Sequence, residues 1–158
     1  MNVLIVYSSK YGCTEKCVKY LENRIDYNVE IINLKKDKLV DLGTYDTVII
    51  GSPIYMGKAL KEVRNFCKKY LKLLLKKKVI LFLCCTTPNK LDEFLVGNFS
   101  NELLSHVRDR INFGGEIQLE GMGFIDKQIV KMAEKLEARE IGMQDKNIEK
   151  TAELINNI

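Results

Sequence analysis

The sequence predicts an α/β fold: a doubly wound, five-stranded parallel sheet with helices on both faces, in a single domain over residues 1–158. Three observations carry that expectation. Residues 2–7, 29–32, 47–50 and 79–84 are nearly continuous apolar runs of strand length, as strands buried on both faces require. Segments with apolar residues three or four apart alternate with these runs, the pattern of helices packed on a parallel sheet. The first apolar run also breaks off abruptly into Ser8-Ser9-Lys10-Tyr11-Gly12-Cys13-Thr14, a tight junction between strand and helix.

Taken in order, a helix is expected over 13–25, with Cys17, Val18, Leu21 and Ile25 on one face. Thr14 and Glu15 stand at its start, where hydroxyls and acids suit exposed N–H groups. The second strand is 29–32. Residues 34–44 are polar and lysine-rich, with Leu39, Val40 and Leu42 supplying one short helical turn. The third strand, 47–50, ends in Gly51-Ser52-Pro53. Over 59–75 the apolar positions Leu60, Val63, Phe66, Cys67, Tyr70, Leu71 and Leu74 predict one long helix, closed by Lys76-Lys77-Lys78 at its negative end. A fourth strand, 79–84, leads into a polar connection over 85–97. A helix over 100–107 follows, with Leu103, Leu104 and Val107 inward. Residues 111–119 read as a strand bent or interrupted at Gly114-Gly115. Two more helices are expected, over 124–136 (Ile125, Ile129, Val130, Met132, Ala133, Leu136 inward) and 148–158.

Composition excludes several classes. With 46% hydrophobic and 29% charged residues the chain has the make-up of a globular domain, with neither repeats nor low-complexity tracts. No apolar run approaches a membrane span, and residues 2–7 are too short and too uncharged at the front for a secretory signal. Five cysteines and a single histidine fit a reducing compartment, so a cytoplasmic location is expected. A net charge of +4 is too mild for a nucleic-acid partner.

In such a sheet, ligands bind beyond the carboxyl ends of the strands, where the strand order reverses. The stretches to inspect are 8–14, 52–58 and 85–92. The first is built for a phosphate: backbone N–H groups lie at the positive end of a helix, Ser8, Ser9 and Thr14 add hydroxyls, and Gly12 permits close approach. It has neither the Gly-Lys-Ser/Thr ending of a triphosphatase loop nor the three spaced glycines of a dinucleotide fold. A phosphoacceptor receiver domain shares this sheet, but needs acids after the first strand and an aspartate ending the third; Ser8 and Gly51 stand there.

Ser9-Lys10-Tyr11-Gly12-Cys13-Thr14 resembles the Ser/Thr-x-x-Gly-x-Thr phosphate loop of the flavodoxin family. Leu42-Gly43-Thr44-Tyr45-Asp46-Thr47-Val48-Ile49-Ile50-Gly51-Ser52-Pro53 is similar to that family's Leu-x-x-Tyr-Asp-x-Val-Ile-x-Gly-Ser/Thr-Pro segment, and the resemblance runs over the whole chain. It implies a flavodoxin-like domain that holds FMN and passes electrons through it to a redox partner protein or a quinone. The implied cofactor-binding residues are Ser8, Ser9, Lys10, Tyr11, Gly12, Cys13 and Thr14 around the phosphate. Ser52, Pro53, Ile54, Tyr55, Met56 and Gly57 would lie along the ring, with Thr86 and Thr87 at its polar end. Tyr55 and Met56 offer the aromatic and thioether surface that an isoalloxazine ring needs.

Phe124-Ile125-Asp126-Lys127-Gln128-Ile129-Val130-Lys131-Met132 resembles the branch that includes menaquinone-dependent protoporphyrinogen dehydrogenase. The alternative it implies is oxidation of protoporphyrinogen IX with a quinone acceptor. On that alternative, 124–136, with Lys127, Lys131 and Lys135, would make a peripheral membrane contact.

The chain departs from the electron-carrier pattern at three points. Tyr11 and Cys13 replace a small residue and an asparagine, the net charge is positive where carriers are acidic, and there is no tryptophan. Lys10 and Lys58 flank the expected site and neither 8–14 nor 52–58 holds an acid, so a less negative flavin potential is expected. No residue is assigned a catalytic or metal-ligating role. Cys13, Cys17, Cys84 and Cys85 read as small buried hydrophobes, since neither Cys-x-x-Cys nor spaced histidines occur. His106 reads as a helix-surface residue.

Overall fold

The computed structural model describes residues 1–38, 41–116, 123, 127–128, 131 and 141–158. Leu39 and Val40, residues 117–119, and nearly all of the expected helix 124–136 lie outside the described residues.

Strands β1 (Asn2–Tyr7), β2 (Asn28–Asn33), β3 (Thr47–Tyr55), β5 (Lys78–Cys84) and β6 (Asp109–Asn112) form a parallel sheet in the order β2-β1-β3-β5-β6. The order reverses between β1 and β3, as the doubly wound prediction requires. A short strand, β4 (Lys58–Ala59), folds back antiparallel on the end of β3.

Successive residues of a strand point to opposite faces, so a strand covered on both sides must be apolar at every position. Leu4, Val6, Val48, Ile50, Leu81 and Leu83 share one core. It is covered by α2 (Lys61–Lys69), α3 (Leu71–Leu74), α4 (Leu91–Asn98) and α5 (Asn101–His106). Val3, Ile5, Ile49, Ile80 and Phe82 share the other, covered by α1 (Cys13–Glu22) and the last helix, α6 (Asp145–Asn156). Gly51 is required by this packing. A Cβ there would stand 1.9 Å from Cζ of Phe82, whose ring stacks on Phe113 at 4.2 Å between centroids.

Several boundaries differ from expectation. The long helix over 59–75 is two helices, because Tyr70 leaves helical geometry at φ −103, ψ 13. Apolar residues at helical spacing continue through this break, so periodicity does not register it. Ala59, read as the first residue of that helix, instead pairs with Ile54 in the β3–β4 hairpin. The polar connection over 85–97 contains α4, which presents a single fully buried side chain, Leu95, too little for a periodic signal. The interruption near Gly114 is real. β7 (Gly114–Gly115) leaves the main sheet and pairs antiparallel with β8 (Gly142–Met143). Gly114 has φ 79, and a Cβ there would meet the Gly142 carbonyl oxygen at 2.1 Å. Among the described residues no helix is long and apolar enough to cross a membrane.

Candidate functional site

The carboxyl ends of β1, β3 and β5 converge, and the three predicted stretches meet there. The Ser8 N–H still donates to the Gly51 carbonyl at 3.4 Å, so the first loop begins locked to β3. Gly12 caps α1 in the left-handed region at φ 94, ψ −10, and its N–H donates to Ser9 Oγ at 3.0 Å. No heavy atom lies within 4 Å of where a Gly12 Cβ would stand, so its backbone conformation, rather than space, calls for glycine. No side chain caps the helix.

Inside this loop Ser8 Oγ and Thr14 Oγ1 are fully buried and without a hydrogen-bond partner. A buried unsatisfied hydroxyl costs about 1–3 kcal/mol, and native structures keep very few. Two of them lie where one loop turns into the positive end of the ten-residue α1, an arrangement able to hold an anion. Cations stand around it. Lys35 Nζ donates to the Ser9 carbonyl at 2.9 Å, and the exposed Lys10 lies in the loop itself. A phosphate monoester fits both the orphaned donors and the charge.

The second stretch is not a loose loop. β3 runs on to Tyr55, and Met56 (φ 51) and Gly57 (φ 75) make a two-residue turn to Lys58. Two consecutive positive φ angles match the primed turn that the twist of a hairpin favours. Met56, a non-glycine residue in that region, stands at the tip and is 66% exposed. Ser52 Oγ accepts from the Leu60 N–H and donates to the Pro53 carbonyl, both at 2.9 Å, so this predicted binding hydroxyl is engaged within the fold. Tyr55 is half-buried under Lys10, whose Nζ lies 3.4 Å from the ring centroid.

Two asparagines that sequence reading missed hold the outer walls. Asn98, at the end of α4, donates to the carbonyls of Gly57 (3.0 Å) and Phe94 (2.8 Å) and accepts from the Ala59 N–H (2.9 Å). It clamps the Met56–Gly57 turn. Asn112, buried at the end of β6, accepts from the N–H groups of Cys85 (3.1 Å) and Gly114 (2.9 Å) and donates to the Cys85 carbonyl (3.1 Å). It positions the third stretch, in which Thr87 is buried and Thr86 half-buried against Gly115. Neither asparagine sits in a local motif; each acts across distant elements.

A groove of about 740 Å³, lined by Met1, Tyr45, Lys76, Lys77, His106 and Arg108, lies at the opposite, amino end of the strands. His106 is half-buried there, its Nε2 2.8 Å from the Lys77 carbonyl oxygen, so it is less exposed than its place in the sequence suggested.

A family model described as "Flavodoxin domain" matches residues 4–141. The fold is similar to a flavoprotein from Lactobacillus acidophilus NCFM solved in complex with FMN, at 18% identity and a TM-score of 0.57, covering 70% of this chain and 92% of that one. It is also similar to a flavodoxin of Streptococcus pneumoniae TIGR4, at 14% identity and a TM-score of 0.58 over 99% of both chains. Oxidised flavodoxin 1 from Bacillus cereus aligns at 15% identity and a TM-score of 0.53, covering 85% of this chain and 96% of its own. No curated protein matches the sequence. With the family model spanning most of its length, the chain belongs to the flavodoxin-domain family.

Proposed function

We propose that this protein binds FMN at the carboxyl ends of β1, β3 and β5 and passes electrons through it to a redox partner. The observation that carries this reading is the pair of buried, unpartnered hydroxyls, Ser8 Oγ and Thr14 Oγ1, in the loop that opens α1. The FMN complex of the L. acidophilus flavoprotein, of similar fold, supports it. Bound FMN would supply the electron-transfer chemistry, as flavins do. The chain's own residues do the rest. Ser8, Ser9, Gly12 and Thr14 hold the phosphate, while Tyr55 and Met56 border the ring. Asn98 and Asn112 keep the two outer walls in register. The stretches 8–14 and 52–58 contain no acid, so no carboxylate from them opposes added charge on the ring.

The partner is read as another redox protein or a quinone. The protoporphyrinogen dehydrogenase alternative rests on the resemblance of 124–132, residues mostly outside those described. Titration of the flavin-free protein with FMN, riboflavin and FAD tests the reading. FMN is expected to bind at least about tenfold more tightly than riboflavin, because only it carries the terminal phosphate dianion. Equal affinity for FMN and riboflavin would overturn the assignment.

A further inference from the structure

Three of the five cysteines meet in space. The Sγ atoms of Cys13 and Cys17, on the first two turns of α1, and of Cys84, at the end of β5, all lie within 4.8 Å of one another. Cys84 Sγ and Cys17 Sγ are 3.9 Å apart. We propose that Cys13, Cys17 and Cys84 form an all-sulfur, three-coordinate site for a soft monovalent cation, copper(I).

The geometry supplies the first argument. An ion about 2.3 Å from each of three sulfurs in one plane holds them about 4.0 Å apart. The cysteines already stand near that separation, so little backbone movement is needed. The donor set supplies the second. Among the described residues the cluster holds neither a histidine nor a carboxylate, and thiolates alone select soft ions. Zinc takes four ligands almost without exception, whereas copper(I) is content with three sulfurs.

Burial leaves little access for a water as a fourth ligand. Cys17 is 0% exposed, Cys84 3% and Cys13 9%, within the core that contains Phe113 and Ile148. Cys13 stands at the rim. There the Glu116 carboxylate pairs with Lys16 at 3.1 Å.

Thiolates rather than thiols bind such an ion, so loading releases the thiol protons to solvent, a demand that favours the ion with the greatest thiolate affinity. A disulfide would use two of the sulfurs and leave the third idle.

The test uses the full chain, reduced and anaerobic, flavin-loaded and flavin-free in parallel, so that a failure of FMN binding stays distinct. Copper(I) is offered as its bicinchoninate complex. One equivalent should transfer to the protein, and X-ray absorption should show three sulfurs at about 2.3 Å. Cys13→Ser, at the rim, should lower the affinity on the order of a hundredfold or more. Cys67→Ser and Cys85→Ser, whose sulfurs lie outside the cluster, should leave it unchanged. Cys17→Ser and Cys84→Ser should match Cys13→Ser once circular dichroism shows them folded, and Cys13→Ser decides the matter where they are not. The site is overturned if no copper leaves bicinchoninate, if Cys13→Ser binds like wild type, or if zinc(II) binds more tightly than copper(I).

Discussion

The ammonium of Lys10 stands 3.4 Å from the centroid of the Tyr55 ring, tying the loop after β1 to the hairpin at the end of β3. Such a contact is worth roughly 0.5–2 kcal/mol, depending on its exposure. It brings a cation and an aromatic face from separate elements to the same edge of the site. If FMN lies there, the aromatic should quench its fluorescence and the cation should favour its reduced form. Tyr55→Ala is expected to raise the emission of bound FMN. Lys10→Gln is expected to make the flavin potential more negative, by the equivalent of roughly 0.2–1 kcal/mol for an exposed charge. Fluorescence on the purified holoprotein and a redox titration measure the two effects, and unchanged emission in Tyr55→Ala would remove the ring from the site.

Thr14→Val should act in opposite directions on the empty and loaded protein. Without ligand the Thr14 hydroxyl is buried and unpaired, so an isosteric methyl should raise stability by about 1–3 kcal/mol. With FMN the same change removes a hydrogen bond to a charged group, costing about 1.5–3 kcal/mol, or ten- to over a hundredfold in affinity. Riboflavin binding should stay nearly unchanged. Thermal melts of the flavin-free protein and titrations with both flavins read the two signs separately. A variant less stable when empty would mean that the hydroxyl is satisfied within the fold.

Gly51→Ala should destabilise the protein through Phe82. The new Cβ would stand 1.9 Å from Phe82 Cζ, and the ring is pinned against Phe113, so overpacking should cost at least about 1–3 kcal/mol. The double variant Gly51→Ala with Phe82→Leu should recover part of that loss. A urea-denaturation cycle over the four proteins measures the coupling, and strict additivity would deny the contact.

Alkaline pH should destabilise the fold through Cys67. Burial in the α2 core pushes its thiol up to about 12, whereas the unfolded chain ionises near the ordinary thiol value. The folded state therefore keeps a proton that the unfolded state has lost. The stability present below the unfolded value is lost as pH rises toward 12. Cys67→Val should flatten the decline in melting temperature between pH 8 and pH 11, leaving behaviour near pH 7 dominated by packing. Parallel slopes in both proteins would show that Cys67 does not set the effect.

The sequence alone determined the layered sheet and the glycine-capped junction that opens α1. Burial on both faces leaves no polar position within 3–6 of β1, 48–50 of β3 or 79–83 of β5, so each is written as a continuous apolar run. The junction from Ser8 to Thr14 was legible because its chemistry, a left-handed glycine and hydroxyls before a helix, is local. Tertiary structure decided what depends on partners far along the chain. The break at Tyr70 does not disturb the apolar spacing of the residues around it. Ala59 became a strand residue because Ile54 was there to pair with it, and the turn it closes is held by Asn98 from another helix. Asn112 gained its role only when β6 came to lie beside β5. Cys84 is 67 residues from Cys17, and only the packing of α1 against the sheet brings their sulfurs within reach. Local backbone chemistry and burial leave a mark on neighbouring residues; a contact between distant elements leaves none until the chain has closed on itself.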